Sequence, residues 1–195
     1  MGRKEKKTTQ INRDRILFTA ARLIKERGVS NISLSDIAKA VKISKGTLYY
    51  YYPSKHDLVF DIAEQSMNHM TQKIFQWMEK SKEDVPPDEI LKIVYDTILR
   101  AKSRGQIHFY LMLEALSDAT LRERFCQEYG RWRDMILYGL NRILPNGKAN
   151  PVLAQIILAS IYGFLLQTLL GMGKPPLDQI SRFLVLADLP LAADE

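Results

Sequence analysis

The sequence predicts an all-α protein of about nine helices, and three observations lead to this fold class. Apolar residues recur at spacings of three and four along most of the chain, as they do on one face of a helix. Glycine, proline and short polar clusters separate these segments. No segment alternates apolar and polar residues as a half-buried strand does. With 195 residues, 46% of them hydrophobic, the chain can bury a sizeable core.

Four helices are expected in the first 80 residues. The first helix has an apolar stripe and ends at Gly28, which is a suitable helix stop. Ser33 can cap a short helix over 34–40, because an aspartate follows three positions later as in a capping box. Ser44 is expected to cap a second short helix over 44–51, which ends before a proline, and a long helix then runs towards residue 80.

The remainder of the chain predicts five more helices. A linker is expected near 81–87, where two prolines stand among charges, and "PNGKANP" predicts a turn. Gly105 is expected to interrupt a helical run. The helices are expected over residues 89–102, 106–117, 121–144, 152–172 and 177–187.

The segment over 152–172 is apolar on nearly all sides. It carries no charge and is long enough to cross a bilayer. Polar residues interrupt it, namely Gln155, Ser160, Gln167 and Thr168. We therefore expect no membrane span, but a helix buried against its own core and against a second copy of the chain.

Charge is divided unevenly along the chain. Residues 1–58 hold 13 Lys and Arg against 5 Asp and Glu, which gives +8. Residues 59–195 hold 15 against 17, which gives −2. This division predicts a head that binds a polyanion and a body with another task. Cys126 is the single cysteine, so no internal disulfide is expected and a reducing cytoplasm is the simplest location.

Two short helices joined by a tight turn, packed under a longer first helix, describe a helix-turn-helix motif. Here the second short helix begins with Lys45, Gly46 and Thr47. The N-terminal residues of such a recognition helix point to base edges in the major groove of DNA. Lysine can donate to guanine, threonine offers a hydroxyl and a methyl group, and glycine lets the backbone approach closely.

Four consecutive tyrosines, Tyr49 to Tyr52, cannot all face one core, because a helix turns by about 100° per residue. Leu48 and Tyr52 are expected to share the core face, with Tyr49 at its border. Tyr50 and Tyr51 are expected to lie outside. There a phenol can donate a hydrogen bond to phosphate and lay its ring against the sugar.

The stretch "GVSNISLSDIAKAVKISKGTLYYYYPSKHDLV" resembles the DNA-binding domain of the tetracycline-repressor (TetR) family. The elements IA, S-K-G-T-L-Y and S-K-x-x-L fall at the spacing of that family, and the resemblance covers roughly residues 11–60. It implies a dimeric transcriptional repressor whose C-terminal cavity binds a small molecule that releases the DNA. Lys42 departs from the usual glycine of the turn, and Tyr52 stands where phenylalanine is common.

Carried over by position, the resemblance implies a set of DNA contacts. Ser33 and Ser35 would lie at the start of the helix that meets the phosphate backbone. Lys55 would hold a phosphate, at a helix start whose dipole favours an anion. The residues implied to face the groove or its walls are Lys45, Gly46, Thr47, Tyr49, Tyr50 and Tyr51.

The expected domains are a flexible basic arm over 1–10, a helix-turn-helix DNA-binding domain over 11–58, and a ligand-binding and dimerisation domain over 59–195. The expected partners are a palindromic operator in double-stranded DNA, a small and largely apolar effector, and a second copy of the chain. The homodimer would form through the last two helices, about 152–187. The small residues there that allow close approach are Ala159, Gly163 and Gly171.

Methionine and aromatic side chains of the body are the candidates for an apolar effector cavity, since methionine adapts to irregular ligands. They are Met67, Met70, Phe75, Tyr95, Phe109, Met112, Phe125, Trp132, Met135 and Tyr138. His108 and Glu114 are the polar groups expected to orient a ligand. For each of these residues, an ordinary place in the core is the alternative interpretation.

Enzymatic activity and metal binding are not expected. The three histidines and one cysteine are scattered, with no HExxH, CxxC or glycine-rich phosphate loop, and no cofactor is implied. The main alternative function is a ligand-independent or architectural DNA-binding protein. Such a protein would not need the large body rich in aromatic residues and methionine. A carrier that has lost DNA binding is disfavoured by the intact "SKGTLYYYYPSK".

Overall fold

The computed structural model describes residues 2–81, 85–144 and 149–186, with side chains from Arg13 onwards. Within these ranges the chain forms nine α-helices and no strand, which confirms the expected fold class. The helices are α1 (Gly2–Arg27), α2 (Leu34–Val41), α3 (Lys45–Tyr51), α4 (Lys55–Ser81), α5 (Pro87–Leu99), α6 (Lys102–Ser117), α7 (Ala119–Ile143), α8 (Pro151–Leu169) and α9 (Leu177–Leu186).

The two short helices begin at the expected caps. The Ser33 hydroxyl accepts a hydrogen bond from the Asp36 N–H at 3.2 Å, and the Ser33 N–H donates to the Asp36 carboxylate at 2.9 Å. This reciprocal pair is a complete capping box. The Ser44 hydroxyl likewise accepts from the Thr47 N–H at 3.0 Å. Both predicted N-caps are therefore confirmed.

The structure differs from the expected boundaries at three places. α1 begins at Gly2, so its backbone covers the residues expected to form an arm, and the flexibility of that arm stays a prediction. The break before α6 falls at Arg100 and Ala101, not at Gly105. Gly171 lies beyond the end of α8 with φ of +75°, so it ends this helix instead of packing along it.

Gly105 has a packing role inside α6. A Cβ atom at this position would come within 2.7 Å of the Leu165 side chain on α8. The glycine therefore lets α6 approach α8 more closely than any other residue would allow.

The buried residues form two clusters. The first contains residues of α1 to α4 together with Ile107, Leu111 and Ala115 of α6 and Leu121 of α7. The second joins α5, α7, α8 and α9. α4 continues across the domain boundary expected after residue 58, and α6 packs into the core of the head. Head and body are thus connected by shared packing as well as by the chain.

α8 carries an exposed apolar face. By length and composition alone this helix could cross a bilayer, a test that the core helices of soluble proteins also pass. Within a single chain, 28% of its most apolar window is buried. Val152, Ile156, Leu166 and Leu170 remain between 44% and 66% exposed. The expectation of burial on nearly all sides is therefore not met by one chain alone.

Candidate functional site

The N-terminal turn of α3 presents a polar surface to solvent. Lys45, Gly46 and Thr47 are exposed, whereas Leu48 is fully buried in the core of the head. The Thr47 hydroxyl lies 2.8 Å from the Ser44 hydroxyl, which holds it at the helix start. The first turn of α3 can therefore approach another molecule without rearrangement.

The tyrosine run is divided between surface and core. Tyr49 and Tyr50 are 49% and 81% exposed, and Tyr52 is 2% exposed. Tyr51 is half-buried and packs against the core, so the expectation that it points outward with Tyr50 is wrong. At about 100° per residue, Tyr51 lies nearer to Leu48 on the helix circumference than Tyr49 does. The Tyr50 and Tyr51 rings are nearly perpendicular to each other, with centroids 5.4 Å apart.

The hydroxyl of Tyr52 has the partners that a buried phenol needs. It accepts a hydrogen bond from Arg13 Nε at 3.1 Å and donates to Asp61 Oδ2 at 3.0 Å. Arg13 also pairs directly with this carboxylate, and Arg124 of α7 lies 3.5 Å from its other oxygen. Burial raises the pKa of Tyr52 to about 12, so the phenol stays protonated and can donate.

The turn between α2 and α3 contains a strained residue. Lys42 has φ of 61° and ψ of 48°, and in the described ranges it is the one residue other than glycine with positive φ. Lysine therefore keeps the left-handed conformation in which glycine is usual. Its side chain is exposed and adds positive charge beside α3.

The side chains of the remaining predicted DNA contacts, Ser33, Ser35 and Lys55, are partly buried or already have partners within the protein. The Ser33 side chain is exposed but occupied by the capping box, and Ser35 is half-buried. The Lys55 ammonium lies 5.3 Å from the centre of the Tyr110 ring on α6, and burial lowers its pKa. The neighbouring His56 pairs with Glu114 of α6 at 3.1 Å. The start of α4 thus contacts α6 of the body.

The body contains a partly open apolar cavity of about 140 Å³ between α4, α5, α6, α7 and α8. Six of the residues suggested by the sequence line it, namely Met67, Met70, Phe75, His108, Trp132 and Met135. Aliphatic side chains such as Ile90, Leu140 and Ile157 complete the wall. A cavity of this lining suits an apolar ligand.

The other suggested residues do not line this cavity. Tyr95 hydrogen-bonds Ser160 at 2.6 Å and packs against Phe164 in the second core cluster. Phe125 packs edge-on against Trp132 outside the cavity. Phe109, Met112, Glu114 and Tyr138 also lie outside its lining. The apolar face of a helix is wide enough to contain both core residues and cavity-lining residues. Helical periodicity alone therefore could not distinguish the two groups.

Arg104 and Tyr162 are among the polar lining residues that the sequence did not predict. Arg104 lies four positions before His108 and on the same face of α6, so the cavity has a polar end. Tyr162 of α8 also lines it. An arginine at this spacing from a histidine, next to the apolar run "QIHFYLML", is the signal that could have identified the first of these.

Burial alters the chemistry of this polar end. His108 is 6% exposed, and its pKa is lowered to about 4. Desolvation by burial is the larger cause, and the nearby positive charge of Arg104 is the smaller one. The imidazole is therefore neutral near pH 7. Its Nδ1 has no hydrogen-bond partner within the described part of the chain.

Residues 16–62 match the family model described as "Bacterial regulatory proteins, tetR family". The HTH-type transcriptional regulator AcrR of Shigella flexneri is 33% identical over 101 residues, which are 52% of this chain and 46% of that relative. The chain spans about half the length of the curated relatives it matches.

Solved structures share the whole fold. Salmonella enterica GusR superposes with a TM-score of 0.68 at 21% identity, covering 92% of this chain and 96% of the other. Thermus thermophilus FadR, a TetR family transcriptional repressor in complex with lauroyl-CoA, gives 0.65 at 20% identity over 92% and 95%. At these identities the likeness shows the fold alone. The helix-turn-helix formed by α2 and α3 lies within residues 16–62, the part of the chain that matches the tetR family of bacterial regulatory proteins.

Proposed function

We propose that this protein is a cytoplasmic, dimeric repressor of transcription that binds a palindromic operator and leaves it when a small, largely apolar ligand fills the cavity. The observation that carries this proposal is the exposed first turn of α3, with Lys45, Gly46 and Thr47 facing solvent above a rigidly capped helix. Such a turn fits the major groove, where lysine and threonine can contact base edges.

The dimer is supported by the apolar surface of the last two helices. Phe183 on α9 is 70% exposed, and Ile156 on α8 is 50% exposed. Ala159 and Gly163 of α8 are also exposed, one turn apart, and nothing lies within 4 Å of a Cβ built on Gly163. Burying this surface against a second copy would remove it from water, and the small residues would permit close helix packing.

α6 supplies a physical connection between ligand and DNA. Its residues Arg104, Gly105 and His108 line the cavity, whereas Ile107 and Leu111 pack in the core of the head. A ligand can shift this equilibrium only through different affinities for two arrangements of the helices. A displacement of α6 by the ligand would change the position of the head, and with it the spacing of two heads in a dimer.

The test is a selection of DNA fragments from the source genome with the purified protein at physiological salt, followed by footprinting. We expect a short palindrome whose half-sites lie about one helical turn or more apart. Lys45→Ala should relax preference at particular bases, and Tyr50→Ala should weaken binding to all operators by similar factors. Binding that is sensitive to salt but indifferent to sequence would favour an architectural DNA-binding protein instead.

A further inference from the structure

The polar end of the cavity carries a positive charge without a negative partner. Arg104 pairs with no carboxylate in the described part of the chain, and burial alone lowers its pKa. Glu64 and Glu128 line a small void beside His108 but both pair with Arg131. Asp14 lines a groove together with Arg104 without forming an ion pair with it. A half-buried guanidinium without a counter-charge is costly unless a ligand supplies one.

His108 adds an unused hydrogen-bonding group at the same place. Its ring is enclosed by aromatic edges, with Trp132 at 5.1 Å and Tyr162 at 6.4 Å between centroids. A buried polar atom without a partner costs about 1–3 kcal/mol, so native structures rarely retain one without a use. In the tautomer with hydrogen on Nδ1, this atom would donate to a ligand oxygen.

Size limits the apolar part of such a ligand. The cavity measures about 140 Å³, similar to an engineered apolar cavity of about 150 Å³ that binds benzene. Arg104 and His108 also line a groove of about 590 Å³ between α1, α4 and α6, which gives a polar head group access to solvent. A six-membered ring or short chain would fill the cavity while its head reached α6.

We propose that the effector is an organic acid whose carboxylate is held by Arg104 and His108 and whose apolar part fills the cavity. This inference rests on the proposed function of the cavity as the effector site. Arginine suits the role because its two parallel N–H groups match the two carboxylate oxygens. A cationic ligand would meet the Arg104 charge, and a neutral one would leave that charge unpaired.

Three probes with the same ring and chain test this inference: 3-phenylpropionate, 3-phenylpropan-1-ol and 3-phenylpropylamine. We expect calorimetry with the full chain to give at least tenfold tighter binding of the acid than of the alcohol, and no binding of the amine. The acid should also release the protein from its operator fragments. Equal affinity of acid and alcohol would overturn the inference but leave the apolar effector cavity intact. No binding by any probe to protein that still binds DNA would overturn both.

Matched variants test whether Arg104 is responsible for the preference for the acid over the alcohol. Arg104→Met should remove at least tenfold of the affinity for 3-phenylpropionate and leave that for the alcohol unchanged. Lys102→Met, which removes an exposed charge from the same helix end, should change neither. Arg104→Gln serves if the methionine variant does not fold. An unchanged ratio of acid to alcohol affinity in the folded Arg104 variant would overturn the inference.

Discussion

At the scale of single residues, Gly46 is a position where the requirements of folding and of DNA binding can be distinguished. A Cβ on Gly46 would meet only the Ser44 hydroxyl, at an ordinary 3.8 Å, so packing does not require glycine here. Glycine within a helix lowers stability by roughly 0.5–1 kcal/mol relative to alanine. Its presence in the exposed first turn of α3 therefore suggests close approach of another molecule to the backbone.

Gly46→Ala should raise the melting temperature slightly and weaken operator binding about tenfold, as the loss of about 1–3 kcal/mol from one base contact does. Thermal denaturation and a gel-shift titration measure the two effects. Gly130→Ala is the control, because this α7 glycine also has open space around it but lies far along the chain from the head. Unchanged operator affinity for Gly46→Ala would mean that DNA does not closely approach the backbone of α3 at this residue.

Lys42 tests backbone strain at the neighbouring turn. A residue other than glycine in the left-handed conformation lowers the stability of the folded state by about 1–2 kcal/mol. Glycine avoids this strain, but part of the gain is lost because glycine also gives the unfolded chain more conformational freedom. Lys42→Gly should therefore be more stable than Lys42→Ala by roughly 0.5–1 kcal/mol. Both variants lose the same charge, so chemical denaturation of the pair isolates the backbone. Equal stability would mean that the turn relaxes in the alanine variant.

At the scale of helices, the hydrogen bonds around Tyr52 connect three elements that the sequence shows only as separate segments. Tyr52 ends α3, Arg13 lies on α1, and Asp61 lies on α4. Capping signals are local, so Ser33 and Ser44 were identified from the sequence alone. Asp61 was not, because its partners lie 9 and 48 positions away in the chain.

Tyr52→Phe should lower the free energy of unfolding by about 1 kcal/mol, the usual net value of a hydrogen bond between side chains. The buried Asp61 carboxylate would keep its two arginine partners but lose the phenol. Tyr50→Phe is the matched control, because this ring is 81% exposed and should leave stability unchanged. Urea denaturation distinguishes the two variants, and equal stabilities would show that the Tyr52 hydroxyl contributes nothing.

The residues that line the cavity of the body could be predicted only in part from local sequence patterns. Methionine and aromatic content predicted an apolar cavity, and Met67, Trp132 and Met135 do line one. Tyr95 and Phe125 belong to the same stripes but pack into the core or a separate void. Which members of a stripe face a cavity depends on how five helices pack together, and no short stretch of sequence contains that information.

At the scale of the whole molecule, the exposed apolar face of α8 and α9 is the feature that a single chain leaves incomplete. Phe183, Leu186 and Leu170 are each more than 60% exposed. Soluble proteins seldom present contiguous apolar surface of this kind unless a partner covers it. A palindromic operator also needs two heads related by symmetry. Under the proposed function, one interface would therefore both cover this apolar surface and relate two heads by symmetry.

Phe183→Glu should convert the dimer to monomers, because a buried carboxylate without a partner is strongly unfavourable at an interface. Sedimentation velocity at micromolar protein should show the change in mass, and affinity for the full palindrome should fall towards that for one half-site. Leu116→Glu is the control, since this α6 residue is 71% exposed but lies away from α8 and α9 along the chain. It should remain dimeric and bind the operator normally. A Phe183→Glu protein that stays dimeric would move the interface elsewhere on the molecule.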